Sequence, residues 1–166
     1  MAYVPKPQPG AIIVHESDIA WTSFPMPGTD FKLLHLDEAN AGATYLLKVG
    51  AGESSVLHRH LGGVEVYTVS GGWRYQEGAM RPGSYAFEPN GVIHQPEQTV
   101  DEDLVLFIVQ RGPIQVLGED GETHLGLIDN ELLYGLAKAN GATDHLDRAE
   151  RDLLDSRAAV RALQPT

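Results

Sequence analysis

Three histidines and a glutamate occur at spacings that could bring them around a metal ion. One residue separates His58 from His60, Glu65 follows a Gly62-Gly63 turn, and His94 comes later beside a Pro-x-Gly segment. Alternate side chains of a strand point to the same face, so the first two imidazoles can lie side by side, with Glu65 returning on the next strand. Imidazoles and a carboxylate that converge from separate strands, with room for water, suit a divalent transition metal such as Fe, Mn, Ni, Cu or Zn. The pattern therefore predicts a metal-binding pocket.

The two segments that carry these residues resemble the two sequence motifs of the cupin family. The first motif is Gly, five residues, His-x-His, four residues, Glu, six residues, Gly, and it matches Gly52 to Gly72. The second is Gly, five residues, Pro-x-Gly, two residues, His, three residues, Asn, and it matches from Gly83 to His94. Gln98 stands where the second motif has Asn, at a position outside the metal shell.

In cupins the residues at these positions bind a metal inside a small barrel, so the resemblance implies an all-β, jelly-roll barrel of the double-stranded β-helix type. It implies these metal ligands: His58, His60, Glu65 and His94. Some cupins hold iron with three histidines alone, which leaves open whether Glu65 binds the metal. The other histidines have no partner at ligand spacing, and we expect them to be surface or core residues: His15, His35, His124 and His145.

The residues around the ligands resemble a narrower group, the small cupins that include 2,4'-dihydroxyacetophenone dioxygenase and lie close to the cupin domain of ChrR-type anti-sigma factors. The resemblance rests on the His-Arg-His tripeptide, the Trp73-x-Tyr75 pair and the run from Gly83 to Pro89. It implies a non-haem Fe(II) dioxygenase that uses O2 to cleave the bond between a ketone carbonyl and the adjacent hydroxylated carbon. A hydroxyketone or a diketone is the expected class of substrate.

An enzyme of this kind needs apolar walls that hold an acyl or aryl group and exclude water. The candidate wall residues are aromatic: Tyr45, Tyr67, Trp73, Tyr75, Tyr85 and Phe87. Packing in the core is the alternative role for each of them.

Two other functions are compatible with the same ligands. A non-redox isomerase or lyase would use Zn, Mn or Ni as a Lewis acid without O2, so the identity of the metal distinguishes it from the oxygenase. A metal- or ligand-sensing module, like the anti-sigma cupin domain, would normally accompany a zinc-binding helical domain. The chain has no Cys, which disfavours this third function.

Short apolar segments broken by Gly or Pro recur about every ten residues between residues 31 and 128, and this spacing predicts eight to ten strands in an antiparallel barrel or jelly roll. Beyond the barrel, Asp129 to Ala139 has leucines at helical spacing and stops at Asn140-Gly141, which is typical of a helix C-terminus. A second helix is expected from Thr143. We expect the segment 129–166 to pack on the barrel, with pairing to its copy from another subunit as the alternative.

Residues 1–30 are expected to form an N-terminal arm and a cap. The arm carries three prolines, at positions 5, 7 and 9, and an arm of this kind can lie on the sheet of a neighbouring subunit. We therefore expect a homodimer, with an arm folded as an edge strand on its own subunit as the alternative.

The composition narrows the remaining classes of function. A length of 166 residues predicts one domain, and 12 basic against 23 acidic residues leave a net charge of −11, which argues against nucleic acid and anionic membranes as partners. The absence of Cys excludes disulfides and thiolate catalysis. No targeting or membrane-spanning signal is visible, so a soluble cytoplasmic protein is expected.

Overall fold

The structure is a computed structural model that describes residues 13–146, and these residues form mostly β-strands. The strands are Thr22–Ser23 (β1), Thr29–Asp37 (β2), Gly42–Val49 (β3), His58–His60 (β4), Val64–Ser70 (β5), Trp73–Tyr75 (β6), Gly78–Met80 (β7), Tyr85–Glu88 (β8), Ile93–His94 (β9), Glu97–Gln98 (β10), Leu104–Gln110 (β11), Ile114–Leu117 (β12) and His124–Ile128 (β13). Within residues 13–146, a short 3₁₀-helix, Glu16–Asp18, precedes the strands, and one α-helix, Asn130–Ala139 (α1), follows them.

The strands form three antiparallel sheets that enclose a single core. The largest has the order β1-β2-β3-β11-β5-β8, and the others have the orders β13-β12-β4-β9 and β10-β6-β7. Strands that are far apart in the sequence, such as β3 and β11, pair side by side in the sheet, as in a jelly roll. The predicted all-β barrel with a C-terminal helix is confirmed. The second helix and the Pro-rich arm fall largely or wholly outside the described residues.

The core lies between the inner faces of the large sheet and the four-stranded sheet. On β11, every second residue is buried, from Leu104 through Leu106 and Ile108 to Gln110, as the two-residue repeat of a strand requires. Gln110 is polar, yet it is satisfied: Tyr45 Oη donates to its Oε1 at 2.8 Å, and its own Nε2 donates to a backbone carbonyl at 3.0 Å. Such pairing removes most of the penalty for burying an amide.

Helix α1 packs against the β1–β3 end of the large sheet. The side chain of Asp129 accepts a hydrogen bond from the backbone N–H of Leu132 at 2.9 Å, which satisfies one of the unpaired donors at the start of the helix. Leu133 and Ala137 are fully buried. Among residues 13–146, no helix is both long and apolar enough to cross a membrane.

The Gly62-Gly63 pair does not make the hairpin turn expected from the sequence. Strand β4 pairs with β9 and β12, whereas β5 pairs with β8 and β11, so the chain passes from one sheet to the other between them. At Gly62, a Cβ atom would lie 2.4 Å from the backbone oxygen of Arg111. Glycine is needed here because two backbone segments come close together.

Candidate metal centre

The three histidines converge from two neighbouring strands of the four-stranded sheet. His58 and His60 are alternate residues of β4, so both point inward, and His94 on β9 lies directly opposite His58 in the antiparallel ladder. All three side chains are buried. The spacing and the register of these strands thus bring together three of the four residues predicted to be ligands.

The geometry of the three imidazoles fits a divalent metal. The Nε2 atom of His94 lies 2.9 Å from Nε2 of His60 and 3.0 Å from Nε2 of His58. Metal–nitrogen bonds are about 2.0–2.1 Å long, and two such bonds at a right angle place their nitrogens about 3.0 Å apart. The potential donor atoms of the three residues all lie within 4.8 Å of one another.

The protonation of the site also favours a metal. Nδ1 of His58 lies 2.8 Å from the carbonyl oxygen of Val56; if Nδ1–H donates to this oxygen, the lone pair of Nε2 faces the other histidines. Burial lowers the pKa of His58 to about 4 and that of His94 to about 4. Both imidazoles are therefore neutral near pH 7, which is the form that binds metals. Nδ1 of His60 and Nδ1 of His94 are buried without a hydrogen-bond partner among residues 13–146.

These lowered pKa values predict a loss of stability in mild acid. The unfolded chain binds protons at its histidines below about pH 6.5, whereas folded His58 and His94 remain neutral until about pH 4. The unfolded state therefore holds more protons in this window. We expect the free energy of unfolding of the metal-free protein to be highest above pH 6.5 and to fall towards pH 4, by up to about 1.4 kcal/mol per pH unit for each histidine.

Urea unfolding of metal-free protein at several pH values between 7 and 4 measures this slope. The His94→Gln variant is the matched comparison, because it removes one of the two groups and should reduce the slope. A free energy of unfolding that stays constant from pH 7 to pH 4 would contradict the assignment of both histidines as neutral.

Glu65 does not join the histidines. It lies on the face of β5 opposite to buried Val64 and Val66, where Arg111 donates a hydrogen bond to Oε1 and Tyr85 donates one to Oε2 at 3.2 Å. The hydrogen bond from Arg111 is the main cause that lowers the pKa of Glu65. The assignment of Glu65 as fourth ligand is therefore corrected: the strand turns its side chain away from the barrel interior.

Glu88 is the carboxylate that the structure places at the histidines. Its Oε2 atom lies 3.0 Å from Nε2 of His60 and 3.8 Å from Nε2 of His94, and the side chain is buried. Glu88 ends β8 on the face that points inward. Glu88 lies in the run from Gly83 to Pro89 that resembles the small cupins, but the sequence alone indicated no role for it. The sequence feature that could have identified Glu88 is its position in the second motif segment, six residues before His94.

The six aromatic candidates fall into two groups. Tyr45 and Trp73 are buried and line the cavity beside the histidines, and the ring of Tyr75 lies 5.2 Å from that of His94, centroid to centroid. The other three are exposed on the outer face of the large sheet, so their predicted place in the pocket is corrected: Tyr67, Tyr85 and Phe87. The inward positions of β5 and β8 belong instead to alternate residues such as Val66 and Glu88.

The cavity beside the histidines is small and apolar. Its volume is about 80 Å³. Most of its wall consists of aliphatic and aromatic side chains: Phe24, Met26, Tyr45, Leu47, Val49, Val64, Val66, Trp73, Leu104, Leu106, Ile108 and Ile114. Phe24 and Met26 come from the irregular segment before β2, so this segment forms part of the cavity wall.

The lining residues that are exposed mark the opening of the cavity, and they include two acids. Glu53 and Glu97 lie there, and Arg74 forms an ion pair with Glu97 at 2.9 Å. No Lys or Arg from the described residues lines the cavity. Gln98, the departure from the second motif, lies beside the opening and donates to the carbonyl oxygens of Val49 at 3.3 Å and Gly50 at 2.9 Å. It therefore holds strand β10 to the loop after β3.

Solved structures share this fold. An RmlC-like cupin protein from Ralstonia eutropha is similar with a TM-score of 0.69 and 25% identity, over 77% of this chain and 83% of that one. An acetylacetone dioxygenase from Acinetobacter johnsonii has a TM-score of 0.70 and 23% identity, over 84% of this chain and 99% of that one. The anti-sigma factor ChrR of Rhodobacter sphaeroides, in complex with SigE, has a TM-score of 0.51 and 17% identity, over 58% of this chain and 51% of that one.

Sequence comparison gives the family. No curated protein matches the chain. The ChrR cupin-like domain matches residues 9–115, which is more than half of the chain and includes all three histidines. The resemblance to cupins seen in the sequence is therefore confirmed, and the chain belongs to the ChrR cupin-like domain family.

Proposed function

We propose that the protein is a metal-dependent dioxygenase that uses Fe(II) and O2 to cleave a carbon–carbon bond in a small, uncharged 1,3-diketone or hydroxyketone. The observation that carries the proposal is the cluster of three buried imidazoles with the buried carboxyl group of Glu88 beside it, at one end of an apolar cavity. The similar fold of an acetylacetone dioxygenase supports the same class of reaction.

His58, His60 and His94 would hold the metal through their Nε2 atoms. Three histidines without a firmly bound carboxylate leave positions free for other ligands. Bound iron(II) would supply the Lewis acidity that stabilises an enolate and the electrons that O2 chemistry requires.

Glu88 would be the proton acceptor of the site. In a 1,3-diketone, the carbon between the two carbonyl groups carries an acidic C–H bond. The proton of this bond must leave before the carbon can react with O2. The carboxyl of Glu88 lies against the ligand atom of His60 at 3.0 Å and is buried at 4% exposure. A carboxylate at this distance from the metal site can take the proton, and buried surroundings keep competing water away.

The size of the cavity favours the aliphatic diketone over an aryl hydroxyketone. A volume of about 80 Å³ favours the smaller compound, because an aryl hydroxyketone carries a benzene ring in addition to its carbonyl and hydroxyl groups. The three exposed aromatic residues that were expected to hold an aryl group lie outside it. Glu53 at the opening and the absence of Lys or Arg in the described lining disfavour a substrate that carries a carboxylate.

Oxygen uptake tests this proposal. The protein is freed of metal, loaded anaerobically with Fe(II), and mixed with acetylacetone, with 2,4'-dihydroxyacetophenone or with acetoacetate, while an O2 electrode records consumption. We expect uptake with acetylacetone, little with the aryl compound and little with the acid. Zn(II)-loaded protein is the control and should consume no O2, since zinc has no accessible redox change.

Two results would redirect the assignment. Stoichiometric metal binding without O2 uptake on any compound would favour a non-redox lyase or isomerase. The match to the ChrR cupin-like domain makes a ligand-sensing module the second candidate, and binding of a small molecule without turnover would support it.

A further inference from the structure

The side chain of Tyr75 lies between the metal centre and the surface. Its ring contacts the rings of His94 and Trp73, with centroids 5.2 Å and 5.3 Å away. Both neighbours are almost fully buried and line the cavity beside the histidines, whereas Tyr75 is only partly buried and does not line that cavity. The ring of Tyr75 therefore packs on a proposed metal ligand from outside the cavity.

Tyr75 also lines a recess in the protein surface. The other residues of this recess are exposed: Arg74, Gln76, Gln95 and Glu97. Glu97 lines the inner cavity as well, so the recess and the opening of the cavity lie next to each other. A single aromatic ring thus separates the recess from His94.

The neighbouring part of the opening is fastened by hydrogen bonds. The side-chain amide of Gln95 donates to the carbonyl oxygen of Ser55 at 2.9 Å, and that of Gln98 donates to the carbonyl oxygen of Gly50 at 2.9 Å. These bonds join the segment 95–98 to the loop between β3 and β4. Widening the opening on this side would break them.

Tyr75 is held less firmly than this segment. Its phenol forms no hydrogen bond with any of residues 13–146. Tyr75 ends β6, beyond the two residues that pair with β10, and its partner on β7 is Gly78, which has no side chain to pack beside the ring. Rotation of the Tyr75 side chain therefore separates two ring contacts and breaks no hydrogen bond.

We propose that Tyr75 is a gate: its ring rotates away to let an ion or a small molecule pass from the recess to the three histidines, and it returns to separate them from water. This inference rests on the three-histidine centre and does not depend on the reaction proposed for it. Tyr75 is not a metal ligand in this proposal. It controls how fast an ion enters and leaves, and not how tightly the ion is bound.

A gate has a kinetic signature that a supporting side chain does not have. If the ion passes only while the ring is rotated away, the rates of association and dissociation are both multiplied by the fraction of molecules that are open. A minor conformation of this kind is typically populated at about 0.1–10%. Removal of the ring should therefore raise both rates by about tenfold or more, while their ratio, Kd, stays nearly the same.

Stopped-flow fluorescence with Co(II) measures both rates. Trp73 lines the cavity, so bound Co(II) should quench it, and a Trp21→Phe background leaves Trp73 as the single tryptophan of the chain. Association is followed after metal-free protein is mixed with Co(II). Dissociation is followed in excess EDTA, at concentrations where the rate no longer depends on EDTA.

Three variants are compared in this background. Tyr75→Ala should accelerate association and dissociation to the same extent. Tyr75→Phe keeps the ring and should behave like the starting protein. Tyr85→Ala is the matched control, because Tyr85 is an exposed tyrosine on the outer face of the large sheet, and it should leave both rates unchanged.

The outcomes separate a gate from a structural role. Unchanged rates in Tyr75→Ala overturn the proposal. Faster dissociation alone, with a weaker Kd, also overturns it, because the ring would then support His94 without blocking the path. If circular dichroism shows that Tyr75→Ala is unfolded, Tyr75→Leu keeps more of the packing and should accelerate both rates by a smaller factor. A protein that binds no Co(II) overturns the metal centre and the gate together. Neither O2 nor an organic substrate is present, so failure of the proposed reaction does not change these results.

Discussion

Replacing His94 with alanine is expected to lower the affinity of the protein for Zn(II) or Ni(II) by more than about a hundredfold. Loss of a residue that only hydrogen-bonds to a metal ligand already lowers metal affinity by about 10–100-fold, and His94 is proposed to be a ligand itself. The Nε2 atom of His94 lies within 2.9 and 3.0 Å of the corresponding atoms of His60 and His58. Alanine leaves two imidazoles from one strand, which cannot surround the ion.

Isothermal titration calorimetry and the metal content of the purified protein measure this effect. His35→Ala is the control, because His35 is an exposed histidine on β2 far from the other three in the sequence, and it should bind metal like the unmodified protein. Circular dichroism must show that both variants are folded. If His94→Ala retains full affinity, the three-histidine centre is wrong.

Replacing Glu88 with glutamine is expected to reduce kcat of the iron-loaded protein by about 10²–10⁴-fold, the range for loss of a general base. Glutamine keeps the shape of the side chain and can still accept a hydrogen bond from a neighbour, but it cannot take up a proton. The distance of 3.0 Å between Glu88 and His60 places the lost group at the ligand cluster. The measurement is steady-state O2 uptake at several pH values.

Glu65→Gln is the matched variant for this prediction. Glu65 lies in the first motif segment and Glu88 in the second. Glu65 pairs with Arg111 on the outer surface, so its replacement should leave kcat nearly unchanged. Metal content separates two roles for Glu88: a proton acceptor can be lost without loss of metal, whereas a metal ligand cannot. Equal loss of kcat in the two variants would contradict the assignment of Glu88.

The sequence was sufficient for features that depend on neighbours along the chain. His58 and His60 share a face because they are alternate residues of one strand, and short strands follow one another between residues 31 and 128, as the apolar segments broken by Gly or Pro predicted. The same holds for the helix that begins after Asp129 and ends before Asn140-Gly141. Local backbone preferences decide all of these.

The carboxylate of the site depended on the tertiary structure. Alternation along β5 and β8 shows which residues share a face, but it shows which face is inside only when the other face is polar. Here Tyr67, Tyr85 and Phe87 are apolar on the outside, so the pattern favoured the wrong face and left Glu88 without a role. Packing of the two sheets against each other turned Glu88 inward and Glu65 outward.

The sequence by itself therefore determined the cupin barrel, the three histidines and the helix, because each follows from a local repeat or a motif of fixed spacing. The tertiary structure decided which glutamate meets the histidines, how small the cavity is, and which aromatic side chains remain in solvent. These features depend on how strands far apart in the sequence, such as β3, β5 and β11, lie side by side in one sheet, and no pattern within a single strand records that arrangement.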